Sequence, residues 1–323
     1  MREETMQRTK NAKQSPRLRH TTFRSELRKN WLLFCMLLPA VLYVFIFNYL
    51  PMPGMVIAFK NYNYGKGVFG SDWAGLKNFG YLFKTGVIKR VTLNTVVYNL
   101  LFIAFDLVVQ VGIAVLLSET VGKKFKKVSQ TMLLLPYFIS WVVAGAVVYN
   151  LLSTDYGLIN NYLTSIGREP VNFMNDPKYW PALFVLFHVW KQVGYGSVVY
   201  VSAITGIDSE IYEAAAIDGA NIFQRIFKVT IPLLKPTIIV LLLLNVGNIV
   251  RGDFAMFYNL TGNSPLLMDA SDVIDTFVYR SMIQTQNFGM SAAAGLYQSV
   301  LGFAIVMTVN TIVKKTQPEY ALF

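Results

Sequence analysis

An all-α membrane protein with six transmembrane helices is the fold this sequence predicts, and three observations predict it. Of the 323 residues, 54% are hydrophobic and only 15% are charged, against about 25% charge in a soluble globular domain. The apolar residues are gathered in runs of about 20 or more, the length that carries a helix across a bilayer core. Basic residues cluster beside those runs. Nine Lys or Arg precede Trp31, among them Arg17, Arg19, Arg24, Arg28 and Lys29, and Lys123, Lys124, Lys126 and Lys127 form a second group.

A basic tail, 1–29, opens the chain. The first span is expected at 31–58. It begins too late and runs too long for the h-region of a cleaved signal peptide, and no A-x-A-like site follows. The segment 59–90 carries Lys60, Lys66, Lys77, Lys84, Lys89 and Arg90 against one acid, Asp72. Within it Leu76, Phe79, Phe83 and Val87 recur at helical spacing and predict one amphipathic helix over 76–90, lying along the membrane surface. Spans two and three are expected at 91–118 and 128–152, joined by the second basic group. Span four follows at 180–204, a structured loop at 205–231, span five at 232–251 and span six at 289–313. A short tail, 316–323, ends a single transmembrane domain, 30–315. Lys and Arg near the spans place both termini, the 119–127 loop and the 205–231 loop in the cytoplasm. The 153–179 and 252–288 loops, richer in acids than bases, fall outside. The basic 59–90 segment disagrees, but an even number of spans puts both termini on one side, and the heavily basic tail decides which.

These features exclude other classes. The net charge of +11 sits beside apolar spans, where anionic lipid and the cytoplasmic face hold it, so it is no nucleic-acid footprint. The single cysteine, Cys35, excludes a disulfide framework and a thiolate metal site. His20 and His188 belong to no metal-ligand spacing. Trp31, Trp141 and Trp180 read as interfacial anchors.

The most informative stretch runs from Asp208 to Pro236. Asp208 or Ser209 caps a helix whose early turns carry Glu210 and Glu213, favoured by the dipole. Ile211, Ala214 and Ala215 make a narrow apolar face on it. Asp218 and Gly219 end it, because glycine accepts the left-handed conformation. Asn221 with Gln224 forms a variant capping box and starts a second helix, whose Phe223, Ile226, Phe227 and Ile231 are expected to pack inward. A connection needed only for topology could be shorter.

This loop resembles a known signature. Glu213-Ala214-Ala215-Ala216-Ile217-Asp218-Gly219-Ala220, followed by Ile231-Pro232-Leu233-Leu234-Lys235-Pro236, is similar to the EAA loop of binding-protein-dependent ABC importer permeases. Asn94-Thr95, the stretch from Asn245 through Asp253 to Asn263-Ser264-Pro265, and Val273 to Arg280 extend the likeness, as do Pro51 and Lys60-Asn61-Tyr62 towards the oligosaccharide and polysaccharide importers. It covers about 30–315 and implies the type I ABC importer permease fold. It also implies a coupling helix starting near Ser209, with Glu213 as charged anchor to the ATPase subunit, Ala214 and Ala215 as close-packing face, and Asp218 and Gly219 as the turn. The implied partners are a second permease, two ATP-binding subunits and an external solute-binding protein. The chain has no G-x-x-x-x-G-K-[ST] run, so ATP and Mg belong to the separate ATPase and no cofactor is expected here.

Polar groups inside spans are functional candidates by default. Asn99, Asp106 and Gln110 share one face of span two; Lys191, Tyr195 and Ser202 share one face of span four. Asp106 is expected to pair with Lys191. Tyr195, Asn245, Asn248, Tyr297 and Gln298 are assigned to a substrate pathway, because sugars need neutral hydrogen-bonding partners and aromatic faces. Gly194, Gly196 and Gly247 are expected to let helices approach closely or to unwind locally beside the pathway. Two other functions compete with the importer: a membrane enzyme acting on a lipid-linked sugar, and a secondary transporter. The first lacks a paired-carboxylate or His cluster, and the second lacks an evident inverted repeat.

Overall fold

The computed structural model describes residues 27–120 and 122–320. Most of the basic tail, with Arg17, Arg19, His20 and Arg24, lies outside the described residues. The chain divides into two compact units, 1–55 and 56–323. In the first, the helix Trp31–Val44 buries none of its side chains. A helix apolar all round finds its solvent in lipid. It widens into a π-turn over Phe45–Tyr49.

In the second unit, long apolar helices form at Val87–Glu119, Pro177–Thr205 and Phe288–Thr316, within a few residues of spans two, four and six, and at Ile222–Val246, which starts well before the expected span five at 232. With the first span these make five helices long enough to cross a bilayer among the described residues, and a bent pair, Lys123–Phe138 with Trp141–Leu152, makes a sixth if counted as one.

That bent pair corrects the expected straight third span. Its two arms meet at 97°. Ile139 and Ser140 are extended, with ψ near 128° and 151°, and the Ser140 hydroxyl accepts from Val143 N–H to start the second arm. A capped restart inside an apolar run makes two helices of one. Span five ends earlier than expected, at Val246. A turn then leads to Phe254–Thr261, capped by Asp253.

The expected 76–90 helix is also divided. Lys77–Lys84 is one short helix, Gly86 turns at φ +71°, and Val87 begins span two. Glycine at positive φ resets the axis. Ahead of it, Lys60 and Asn61 pair antiparallel with Trp73 and Asp72. Three of the six bases here have partners. Lys60 Nζ donates to Phe69 O at 2.5 Å, Lys66 pairs with Asp72 at 2.8 Å, and Arg90 reaches Asp269 at 2.6 Å. Asn94 donates to the Asp269 and Asp272 carbonyls. The 59–90 and 252–288 segments therefore lie at the same end of the spans, as six crossings require.

Three apolar clusters fill this unit. One joins Tyr98, Phe102, Trp141, Trp180, Phe184 and Phe257. A second packs Leu82 and Val91 against Ile274 and Ala293. The third joins Val115, Tyr200, Ile204 and Leu234 near the 205–231 loop. Trp141 and Trp180 are therefore core residues and not interfacial anchors. Their indole N–H groups are bonded internally, to Asp253 at 2.7 Å and to Phe173 O at 3.1 Å. Trp31 is exposed.

Candidate functional site

The 205–231 loop folds as its local chemistry dictates. Asp208 Oδ1 accepts from Glu210 N–H at 3.0 Å and starts the helix Ser209–Ile217. At its end Gly219 stands at φ +76°. Gly219 N–H returns to Ala216 O at 3.0 Å and Ala220 N–H to Ala215 O at 2.9 Å, the paired bonds of a Schellman cap. Asn221 and Gln224 then exchange bonds at 2.8 and 2.9 Å, a closed capping box opening Ile222–Arg225. The chain continues through a π-turn, Ile226–Thr230, into span five.

Two ties fix the loop to the spans. Arg225 pairs with Glu119 at the end of span two at 3.2 Å. Tyr212 Oη meets Thr230 Oγ1 at 3.1 Å. Glu213, Ala214, Asp218 and Gly219 are exposed, and Ala215 is half-buried. Ile226 packs against the Tyr200–Leu234 cluster as expected. Phe223 and Phe227 do not pack inward; both are exposed. Four residues apart, they share one helix face. Ile217, 86% exposed, joins the outward surface. Periodicity named the face of Ile211 and Ala214 but missed Ile217, because an isoleucine at a helix end reads as a capping contact.

The polar groups of the spans fall in several separate places. Gln298 donates to Val250 O at 2.8 Å and to Asp275 Oδ2 at 3.0 Å, and the same carboxylate oxygen accepts Gly252 N–H at 2.6 Å. Burial pushes the Asp275 carboxyl above the ordinary carboxylate range, partly offset by those two donors and by the charge of Arg251. Beside them lies a cavity of about 310 Å³ lined by Gly247, Arg251, Gln298, Ser299 and Phe303 among others. It presents a guanidinium, an amide, a hydroxyl and an aromatic ring together.

Tyr195 lies elsewhere, stacked on Tyr137 with centroids 4.8 Å apart and planes at 12°. Tyr297 Oη accepts from Thr92 at 3.2 Å and its ring meets Phe83 edge-on. Asn245 and Asn248 are exposed, the latter donating to Leu244 O. Of the five expected pathway residues, only Gln298 lines the Arg251 cavity. Tyr137 and Asp275 were missed as site residues. Tyr137 follows a proline inside an apolar run, and Asp275 precedes the last span by more than ten residues; neither place carries a periodic signal.

The expected pair of Asp106 and Lys191 does not form. Asp106 Oδ2 meets His188 Nε2 at 3.2 Å. Lys191 Nζ donates instead to the carbonyls of Pro136, Tyr137 and Ile139. The bend in span three leaves carbonyls without helical partners, and an ammonium with three N–H groups fits three acceptors better than one carboxylate. Gly194 serves close approach as expected: a Cβ there would lie 2.0 Å from Leu133 O.

The model of the family described as "Binding-protein-dependent transport system inner membrane component" matches residues 110–317. The chain is 34% identical over 314 residues to the polygalacturonan/rhamnogalacturonan transport system permease protein YteP of Bacillus subtilis, covering 95% of this chain and 97% of that protein. It matches a crystal structure of a bacterial ABC transporter involved in import of the acidic polysaccharide alginate with a TM-score of 0.82 at 32% identity, over 90% of this chain and 98% of that chain. A second structure, of a bacterial alginate ABC transporter in complex with an alginate pentasaccharide-bound periplasmic protein, matches with the same score and identity.

Proposed function

The chain belongs to the binding-protein-dependent transport system inner-membrane component family, and from that premise we propose that it admits acidic oligosaccharides to the cytoplasm. It is a multi-pass inner-membrane permease subunit of an ATP-driven sugar importer, and hydrolysis belongs to another subunit. Both termini face the cytoplasm, residues 30–315 act as one permease domain, and the chain pairs with a second permease in a heterodimer. Two ATP-binding subunits, carrying ATP and Mg, receive the Ser209–Ile217 helix through Glu213, Ala214 and Ala215, with Asp218 and Gly219 as the turn. An external binding protein delivers the saccharide.

The observation that carries the coupling role is the doubly capped loop between spans four and five. A short rigid helix tied by Arg225–Glu119 and Tyr212–Thr230 passes displacement in both directions, which a slack connection does not. The acidic substrate rests on Arg251 in the polar cavity beside Gln298, since a guanidinium recognises a carboxylate through a planar fork. Two of the compared importers carry polygalacturonan or alginate by name. Tyr195 on Tyr137 offers a ring face to a sugar, and Asn245, Asn248 and Tyr297 supply neutral polar groups along the route.

Affinity purification of the tagged chain in mild detergent, followed by mass spectrometry, tests the assembly. A P-loop ATPase and a second six-span protein are expected; recovery of the chain alone would remove the partners. Uptake by the reconstituted complex tests the cargo. Galacturonate oligomers are expected to enter in preference to neutral oligomers of the same length, and Arg251→Gln to reduce that preference. Equal uptake of both would discard the acidic reading while leaving the importer intact.

A further inference from the structure

We infer that Lys191 is a positioning residue that locks the two arms of span three into one rigid lever, so that motion of the coupling loop reaches the outer end of the protein. The inference rests on the importer reading above.

The Ile139–Ser140 break separates two arms that pack against different parts of the fold. The first arm, Lys123–Phe138, is pressed against span four, as the Gly194 approach to Leu133 O shows. The second, Trp141–Leu152, is pressed against Phe254–Thr261, the helix after span five. A Cβ on Gly145 would lie 2.6 Å from Asn259 O. Span four runs into the Asp208-capped helix, and span five leaves the same loop.

Lys191 stands where these parts meet. It is 8% exposed. Its ammonium donates to Pro136 O at 3.2 Å, Tyr137 O at 2.8 Å and Ile139 O. Three acceptors match the three N–H groups of the charged form. Two lie in the last turn of the first arm, and the third is the first carbonyl of the extended break. The same ammonium lies 5.3 Å from the Trp141 ring, the first residue of the second arm. Trp141 in turn donates to Asp253 at 2.7 Å, and Asp253 caps Phe254–Thr261 through Met256 N–H. A single side chain of span four thus satisfies the end of one arm, faces the start of the other, and reaches the post-span-five helix through one indole.

An unpinned break would be a hinge. Two extended residues would flex, and displacement of the first arm would be absorbed there. With its carbonyls held, the 97° angle is fixed, and the arms turn as one body. The consequence is specific to coupling: without Lys191, ATP hydrolysis continues while uptake per ATP falls.

The test uses the full complex in lipid nanodiscs and in proteoliposomes. Spin labels go on Met132→Cys and Val147→Cys in a Cys35→Ser background; both positions are exposed, one on each arm. With native Lys191, one narrow interlabel distance is expected, unchanged by Mg-ATP. In Lys191→Met the distribution broadens, and uptake of a galacturonate oligomer per ATP hydrolysed falls on the order of tenfold, the size of an ordinary coupling energy. If that variant does not assemble, Lys191→Arg is read in its place. It keeps the charge but offers a planar fork to a non-planar set of acceptors, so partial broadening and a partial loss of uptake per ATP are expected. A narrow distance unchanged in the variant overturns the pin. Broadening with the uptake-to-hydrolysis ratio intact overturns the transmission. A native complex that hydrolyses no ATP with its partners present fails the importer reading itself, which the interlabel distances report separately from the pin.

Discussion

Within the spans, the Asp106 carboxylate takes His188 Nε2 at 3.2 Å, and the His188 ring lies flat on Phe102, with centroids 4.0 Å apart and planes within 7°. The bond is half of what each group offers: Asp106 Oδ1 and His188 Nδ1 are buried with no partner among the described residues. Removing one member leaves the other unsatisfied in an apolar setting. Asp106→Leu or His188→Leu alone is expected to destabilise the protein by about 1–3 kcal/mol. The double replacement is expected to cost less than the larger single one, because a well-packed apolar pair tolerates burial better than a polar remnant. Thermal unfolding of the four proteins in detergent closes the cycle; additive losses would deny the contact.

Much of this molecule is legible residue by residue, and the reason is locality. The limits of span four and the Asp208, Gly219 and Asn221 caps depend on neighbours within four positions, and the structure places them where the sequence does. The bend at Ile139 is different. Leu133 to Leu152 is apolar almost throughout, and Pro136 lies inside the first arm without ending it. The carbonyls at the bend find their partner in Lys191, some fifty residues later. Asp106 follows the same rule. Periodicity assigns it a helix face, but whether Lys191 or His188 meets that face depends on depth and on a competing set of carbonyls. Tyr297 and Gln298 are adjacent and a helix turns them about 100° apart, so Gln298 alone of the two meets the Arg251 cavity.

The Gly219 turn makes a prediction about the coupling loop. At φ +76° a residue with a Cβ is strained by about 1–2 kcal/mol, and proline also removes the N–H that bonds Ala216 O. Gly219→Ala is expected to keep the loop at a modest cost in stability. Gly219→Pro combined with Glu213→Lys is expected to abolish ATP-driven uptake while the six-span fold persists. Uptake in proteoliposomes, with circular dichroism as the fold control, checks both; undiminished uptake in the double variant would remove the loop from the coupling role.

Glycines of one chain are not equivalent, and two of them make a paired prediction. A Cβ on Gly194 would meet Leu133 O at 2.0 Å and Leu134 Cα at 2.7 Å, both backbone atoms that a rotamer change cannot move. Gly194→Ala is expected to destabilise by about 1–3 kcal/mol through overpacking. Gly295, within span six, has nothing within 4 Å of its would-be Cβ. There alanine is expected to be neutral or to stabilise by about 0.4–1 kcal/mol, through the lower entropy of the unfolded chain. Midpoints of thermal unfolding that move together in the two variants would contradict the packing of span four on the first arm.

Asp275 gives the pH dependence. Its carboxyl lies outside the spans, in the helix before the last one, and burial raises its pKa despite the Gly252 N–H and the Gln298 amide. A raised value means that the folded protein binds the proton more tightly than the unfolded chain. Its contribution to stability is therefore complete below the ordinary carboxylate value and is lost as pH rises through the higher folded value. Asp275→Asn removes the titration and leaves an oxygen to accept the Gly252 and Gln298 bonds. Between about pH 4 and 7, the range above an ordinary aspartate, the unfolding midpoint of the native protein is expected to fall relative to that of the variant. The two curves converge at the acid end and part as the carboxylate ionises beside Gln298. A difference that shrinks as pH rises would carry the opposite sign, and would mean that Arg251 and the two donors outweigh burial at this carboxylate.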